Sequence, residues 1–365
     1  MTPDSLLEDD WRAAVERLGG AAGLAASAAE TKAFVRPRRV SGAVELLRLV
    51  LAYCLGHRGL RATSAWAAAS GLVDISNVGL LYRLRQCADW LALLVGQLLA
   101  ANAPPQSKGR LIRIIDATTV LQAGEAAKRS NRLWRIHSAF DLPAERFGQF
   151  VLTDEHGGEQ IDRIAVVPGE IRIGDAIYMQ PDRIAAVQAQ GGDILVRSGW
   201  RNGRWLQADG EPFELVATLR AATTGVVDCP VWVGRKGDRP LALRLVAVRK
   251  PEAVLAEARR KARRQAKKSG YQVSQETLIA AEWVILLTSL GREAYSTDDI
   301  LALYRLRWRV ELAFKRLKSL VGLRPPPGKD PRTARPFILA HLLLLLLLEP
   351  RIDALEDSPR SASAG

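Results

Sequence analysis

Cysteine, histidine and long apolar runs are all scarce in this sequence, and each scarcity closes a route. Cys54, Cys87 and Cys229 are the only three cysteines in 365 residues. Odd in number and without paired spacing, they predict reduced thiols and no thiolate-bound metal. His57, His137, His156 and His341 share no ligand spacing either, and are assigned to packing or surface. The longest apolar run, Ile338 to Leu348, falls well short of the roughly 20 residues that span a bilayer, which predicts a buried core helix and no membrane partner. The amino-terminal stretch MTPDSLLEDDWRAAVERL is acidic and lacks the basic and apolar regions of a secretory signal, so the expected location is the cytoplasm. GDILVRSGW has glycines but no phosphate-loop pattern, and there is no internal repeat. Acid is short as well. Against 52 Lys and Arg stand 39 Asp and Glu, a formal charge of +13, and a field of that sign draws polyanions, nucleic acid first among them.

What remains is an ordinary globular balance, 48% hydrophobic and 25% charged, on a chain long enough for two or three structural units. Residues 1–102 read as an Ala- and Leu-rich helical domain. Caps are expected at Ser41, Ser64 and Ser76, and the piece LVDISNVGLLYRLRQCADWL is a candidate DNA-contacting helix with Arg83 and Arg85 exposed. ANAPPQSKG, residues 101–109, is the first boundary. Beyond it RLIRIIDATTV reads as a buried strand ending in Asp116, and LWRIHSAFDL and FGQFVLTDEHGG as two more strands joined by a turn at PAERFG. IDRIAVVPGEIRIGDAIYM brings a strand to Asp175, followed by a helix, a Gly-Gly turn and another strand. The prediction for residues 109–198 is therefore an α/β sheet of mixed direction. Residues 199–280 read as a mostly β insertion with NG and DG turns and a basic helix, AEARRKARRQAKKSGY. Residues 281–350 bring a core strand, AAEWVILLTSL, and one long helix capped at Thr297; residues 351–365 read as a flexible tail.

That long helix carries the chemistry. Projected at about 100° per residue, Tyr304, Arg307, Glu311 and Lys318 fall on one stripe beside an apolar stripe of Leu303, Leu306, Val310, Phe314, Leu317 and Val321. A lone acid among cations at the margin of a core is stabilised as the anion and suits a hard cation. Phosphoryl chemistry on two divalent ions needs further carboxylates. Asp116 and Asp175, each at the end of an apolar strand, are the candidates, with Asp154 and Asp162 in reserve.

The helix segment YRLRWRVELAFKRLK meets the spacing Tyr-x2-Arg-x3-Glu-x6-Lys, and it resembles the signature of the DDE transposases of bacterial insertion sequences, the insertion-sequence-four family. LIRIIDATTV, GDAIYM and EWVILLTSL resemble that family's other pieces, over roughly Leu111 to Leu347. The resemblance implies an RNase H-like core interrupted by a mostly β insertion, with Asp116, Asp175 and Glu311 as catalytic residues holding two Mg2+ or Mn2+ ions. It implies strand cleavage at a transposon end, transfer into target DNA, and action as a homodimer. Tyr304, Arg307 and Lys318 would hold phosphates, and Trp283 would stack a flipped base. Ala176 and Ile177 stand where the family often has Arg-Gly. Arg309 and Lys315 on the same helix are further expected DNA contacts. So are Arg260, Lys261 and Arg264, in a run with Arg259, Arg263, Lys267 and Lys268. Two other readings share these residues: a DNA-binding derivative without catalysis, and a nuclease of the same fold without strand transfer.

Overall fold

The computed structural model describes residues 3–56, 58–101, 109–122, 132–142, 146–319, 321–328 and 330–356. The predicted boundary at 101–109 and the turn at PAERFG fall largely on residues outside that set. The amino-terminal part folds as helices α1 (Pro3–Arg17), α2 (Gly20–Glu30), α3 (Ala43–Leu55), α4 (Leu60–Ala69), α5 (Asn77–Gln86) and α6 (Ala88–Ala101). Ser76 caps α5 as expected, accepting the Gly79 N–H at 3.1 Å. Two other caps are misplaced by sequence reasoning. Helix α3 starts after Gly42, with the Ser41 N–H donating to the Glu45 carboxylate at 2.7 Å. Helix α4 starts after Gly59, which leaves Ser64 inside it. Both glycines are extended there, so the backbone starts the helix with no side-chain oxygen to mark the spot.

Among the described residues nine strands form one mixed sheet: β1 (Ile112–Leu121), β2 (Leu133–Leu142), β3 (Arg146–Thr153), β4 (Ile171–Gly174), β5 (Asp193–Ser198), β6 (Trp205–Leu206), β7 (Val226–Val233), β8 (Leu241–Arg249) and β9 (Trp283–Thr288). Their order is β3-β2-β1-β4-β5-β9-β8-β7-β6. Strands β1, β4 and β5 run parallel to one another; β2 and β3 meander off one side, and β9, β8, β7 and β6 extend the other antiparallel. The stretch read as an insertion thus continues the same sheet, because β9 pairs with both β5 and β8. A sequence shows that strands exist, whereas pairing between segments about 90 residues apart is a tertiary choice.

Alternation along the strands gives each face its own core. On one side Ile114, Leu195, Leu286 and Val246 join the packed interior of α1–α6; on the other Ile115, Val196, Ile285, Leu287 and Trp283 pack with α7 (Pro181–Ala189), α8 (Leu215–Ala221) and α10 (Gln275–Ala281). Between α8 and α10 in the chain lies the basic helix α9 (Glu252–Lys268), which buries Leu255 and Ala266 and exposes its arginines and lysines. The leucine run sits in α13 (Pro331–Glu356), packed against α3, α5 and α6. Its segment Pro331–Leu348 is long and apolar enough to cross a membrane, but 61% of it is buried inside the fold, as a core helix would be. Residues 351–356, expected in a tail, continue that helix.

The predicted single long helix is two. Helix α11 (Thr297–Arg305) is capped by Ser296, not Thr297, in a capping box with Asp299. Its last turn tightens, with Leu306 N–H donating to Leu303 O and Arg307 N–H to Tyr304 O, before α12 (Trp308–Ser319) begins. No glycine or proline marks the break, so periodicity reads straight through it.

Candidate active site

Asp116 is not at a strand end. It lies in the middle of β1, paired with Ser138 of β2, where neighbouring strands cover much of its surface. Ile114 pairs with Ile173, so the next same-face position along β4 is Asp175, just past the strand. Continued one step past the last pair, that register sets the two acids on neighbouring segments whose backbones are about one strand spacing (~4.8 Å) apart, and Asp175 acts electrostatically on Asp116. Each spends one carboxylate oxygen on a backbone N–H. Asp116 accepts from Ala117 at 2.8 Å, and Asp175 accepts from Ile177 at 2.8 Å, capping a short 3-10 turn. Gly174 makes that turn possible, since a Cβ there would lie 3.0 Å from the Tyr178 ring.

Glu311 comes from above. Helix α12 packs on β1 through its apolar stripe: Val310 and Phe314 are buried, and the Phe314 ring lies 5.5 Å from Phe147. This brings Glu311 and Lys315 to the wall of a cleft of about 510 Å3 that they share with Asp116, Phe314 and Ser319. Arg307, at the helix break, is ion-paired to Glu311. Burial works against the Arg307 charge, and Tyr304, Glu311 and Asp116 outweigh it, holding its pKa above the ordinary value. Tyr304 is raised by burial, against the pull of Arg307 and Arg197.

Electrostatics single out Asp116. Burial lifts its pKa to about 6, the Ala117 N–H and Arg307 oppose the rise, and Asp175 and Glu159 add to it. Glu159 is the residue that sequence reasoning missed. It lies in the irregular stretch 154–170, which the fully buried Arg172 pins by donating to the carbonyls of Ile161, Ile164 and Ala165 at 2.5, 2.8 and 2.6 Å. Burial raises Glu159 too, against Arg135 at 3.3 Å and with Asp175 adding. No motif announces Glu159, and its only signal is the fold. The reserve acids are elsewhere engaged: Asp162 pairs with Arg183 at 3.1 Å, and Asp154 accepts from His156 N–H at 3.0 Å.

Trp283 is not brought to this cleft. Its side chain, 4% exposed, is packed in the core on the opposite face of the sheet, as the parity of β9 requires. The side chains of Arg309 and Lys318 lie outside the described residues, although both positions are on α12. Arg260, Lys261 and Arg264 are exposed on α9; the first two pair with Glu257.

A cleft lined by carboxylates offers hard oxygen donors, the kind that suits Mg2+ or Mn2+ and not a thiolate-seeking metal. Among the described residues no three acids, histidines or cysteines converge closely enough to hold an ion as they stand. Glu311 leans to Arg307, and Asp116 and Asp175 each cap a backbone N–H. The donors fit such an ion in kind, and Glu311 would have to leave Arg307 to join the two aspartates.

Residues 107–347 match the family model described as the transposase DDE domain. The chain belongs to that family. It is 36% identical over 366 residues to the transposase for insertion sequence element IS421 of Escherichia coli, with 98% of each chain covered. It is also 36% identical over 365 residues to InsL of insertion sequence element IS186A of Escherichia coli strain K12, again with 98% of each covered. This chain is thus an insertion-sequence transposase built on a mixed α/β sheet, and the cleft beneath α12 is its candidate active site.

Proposed function

We propose that this DDE transposase is of the insertion-sequence-four type, with an RNase H-like core, and that Asp116, Asp175 and Glu311 are its catalytic carboxylates. The observation that supports the reading most is the shared register row: Asp116 and Asp175 lie abreast on parallel strands, with Glu311 over Asp116 across one cleft. Its substrates are transposon-end DNA, which it cuts, and target DNA, into which it joins the freed end. Two Mg2+ or Mn2+ ions, when bound, supply the activated oxygen nucleophile and neutralise the leaving oxygen.

The protein's own residues do the rest. Asp116 and Asp175 present carboxylates from a rigid sheet, which fixes the spacing of the donors. Arg307 exchanges Glu311 for a backbone phosphate when DNA enters, freeing the Glu311 carboxylate and clamping the scissile group. Tyr304, Lys318, Arg309 and Lys315 hold neighbouring phosphates, and Arg260, Lys261 and Arg264 meet DNA further off along α9. The helical domain of residues 1–102 reads the DNA end. In its favour, Arg36, Arg38, Arg39 and Arg83 line a cavity of about 940 Å3 beside the exposed Val78 and Tyr82 of α5. The enzyme works in the cytoplasm, as a homodimer bridging two DNA ends.

The test is Glu311→Gln on DNA carrying the element's terminal repeats, with Mg2+. Cleavage should vanish while DNA affinity stays within a few-fold, because one neutralised carboxylate removes metal but no phosphate contact. Retained cleavage would remove Glu311 from the reading.

A further inference from the structure

The register row that carries the acids does not stop at them. Ile173 pairs with Leu195, so the position beside Asp175 on β5 is Arg197; Arg197 pairs with Leu286 on β9, and Leu286 with Val246 on β8. By alternation, Asp116, Arg197, Val246 and Val248 face the side of the sheet on which α11 packs against β5, with Asp175 and Lys250 following β4 and β8 at the carboxyl edge. Arg197 stands about 10 Å, two strand spacings, from Asp116.

Arg197 is an anomaly for stability. It is exposed on a central strand between buried residues, and no ion pair to it occurs among the described residues. Lys250, just past β8, donates its ammonium to Ala281 O at 2.5 Å. Burial holds its pKa below the ordinary value, and the charges of Arg197 and Lys261 lower it further. Arg197 also lies close enough to Tyr304 of α11 to act on it electrostatically. Cations thus run from Arg307 through Arg197 and Lys250 to Lys261 on α9, where Arg263, Arg264, Lys267 and Lys268 are exposed. Like charges set this close repel, and folding gains nothing from them; a phosphate backbone laid along them relieves the repulsion.

We propose that Arg197 and Lys250 bind the DNA backbone on one side of the cut bond, leading it from the cleft across the carboxyl edge of the sheet to α9. This rests on the reading of the cleft as a DNA-cutting site. Helix α9, with 17 residues, spans about 25 Å, or roughly seven base pairs at ~3.4 Å rise. DNA on that side must therefore extend on the order of ten base pairs past the cut to fill the track.

The experiment measures affinity by fluorescence anisotropy in EDTA. The probes are duplexes carrying the element's end, trimmed to 3 or extended to about 15 base pairs beyond the cleaved bond, on each side in turn. The double variant Arg197→Gln with Lys250→Met should bind the long duplexes about tenfold more weakly. The slope of log affinity against log salt should shrink by about 1 to 2, near 0.9 for each phosphate lost. Trimming one side, and not the other, should abolish the difference from wild type. Arg197→Gln alone, which breaks no ion pair among the described residues, should show about half the change in slope, and Arg197→Lys should restore it. An unchanged salt slope, or a loss of affinity independent of length on both sides, overturns the track. If wild type itself neither binds these ends nor cuts them with Mg2+, the cleft reading has failed; if it cuts them and the variants match it, only the track has.

Discussion

Replacing Asp116 by Asn should stabilise the metal-free protein at neutral pH while ending catalysis. The ordinary carboxyl value of 3.8 is lifted to about 6 in the fold, chiefly by burial. At ~1.4 kcal/mol per tenfold change in proton affinity, ionising this group in the folded state costs about 3 kcal/mol. The half-buried setting makes that an upper figure, and about 1 to 3 kcal/mol is expected. The direction follows from proton uptake: between pH 3.8 and about 6 the folded chain holds the Asp116 proton and the unfolded chain has lost it. Stability contributed by this group is complete below 3.8 and is lost as pH rises through 6. Asparagine keeps the oxygen that accepts the Ala117 N–H and never ionises, so its advantage should grow across that window and be complete above it. Denaturant midpoints in EDTA at pH 8 and pH 3.5, followed by tryptophan fluorescence, measure it. The variant should exceed wild type at pH 8 and match it at pH 3.5. Equal midpoints at pH 8 would refute the buried, charge-crowded setting of Asp116. Divalent metal should then reverse the order at pH 8, stabilising wild type alone, since only the ionised carboxylate binds it.

Two further outcomes bear on residues around the cleft. Trp283→Ala should destabilise by about 3 to 5 kcal/mol, as truncation of a buried aromatic does, while Trp283→Phe should fold and keep its cleavage rate; a folded Phe variant that lost cleavage would return Trp283 to the DNA. The Tyr178 hydroxyl is buried without a hydrogen-bond partner among the described residues, so Tyr178→Phe should leave the unfolding midpoint unchanged or raise stability by about 1 kcal/mol, and a clear drop would show that the hydroxyl is satisfied.

The element types were legible in the sequence because they rest on local patterns. Alternating apolar residues announced β1, β2, β3 and β9, and the 3.6-residue stripe with its four polar positions announced the segment around Glu311. Asp116 and Asp175 were singled out in the sequence as residues at strand ends, and for Asp116 that reason was wrong. Asp175 follows its strand, whereas Asp116 is inside one; it reaches the cleft through sheet register, which no local pattern encodes. The uninterrupted 3.6-residue period hid the break at Leu306 and Arg307, because a tightened turn leaves the apolar spacing intact. The placement of Trp283 depended on which face of β9 meets the cleft, and a one-residue parity sends it to the far side.

By itself the sequence determined that the chain is a basic α/β protein with a carboxylate embedded among cations, since charge, periodicity and spacing are properties of the chain alone. The tertiary structure decided which acids meet. Strand order brought Asp175 near Asp116, packing of α12 on β1 set Glu311 across the cleft from Asp116, and the loop pinned by Arg172 added Glu159. It also brought Arg197 of β5 and Lys250, just past β8, to one edge of the sheet from segments far apart in the chain. Contacts of that range follow from which surfaces are buried together, a choice made only when the whole sheet closes on its two cores.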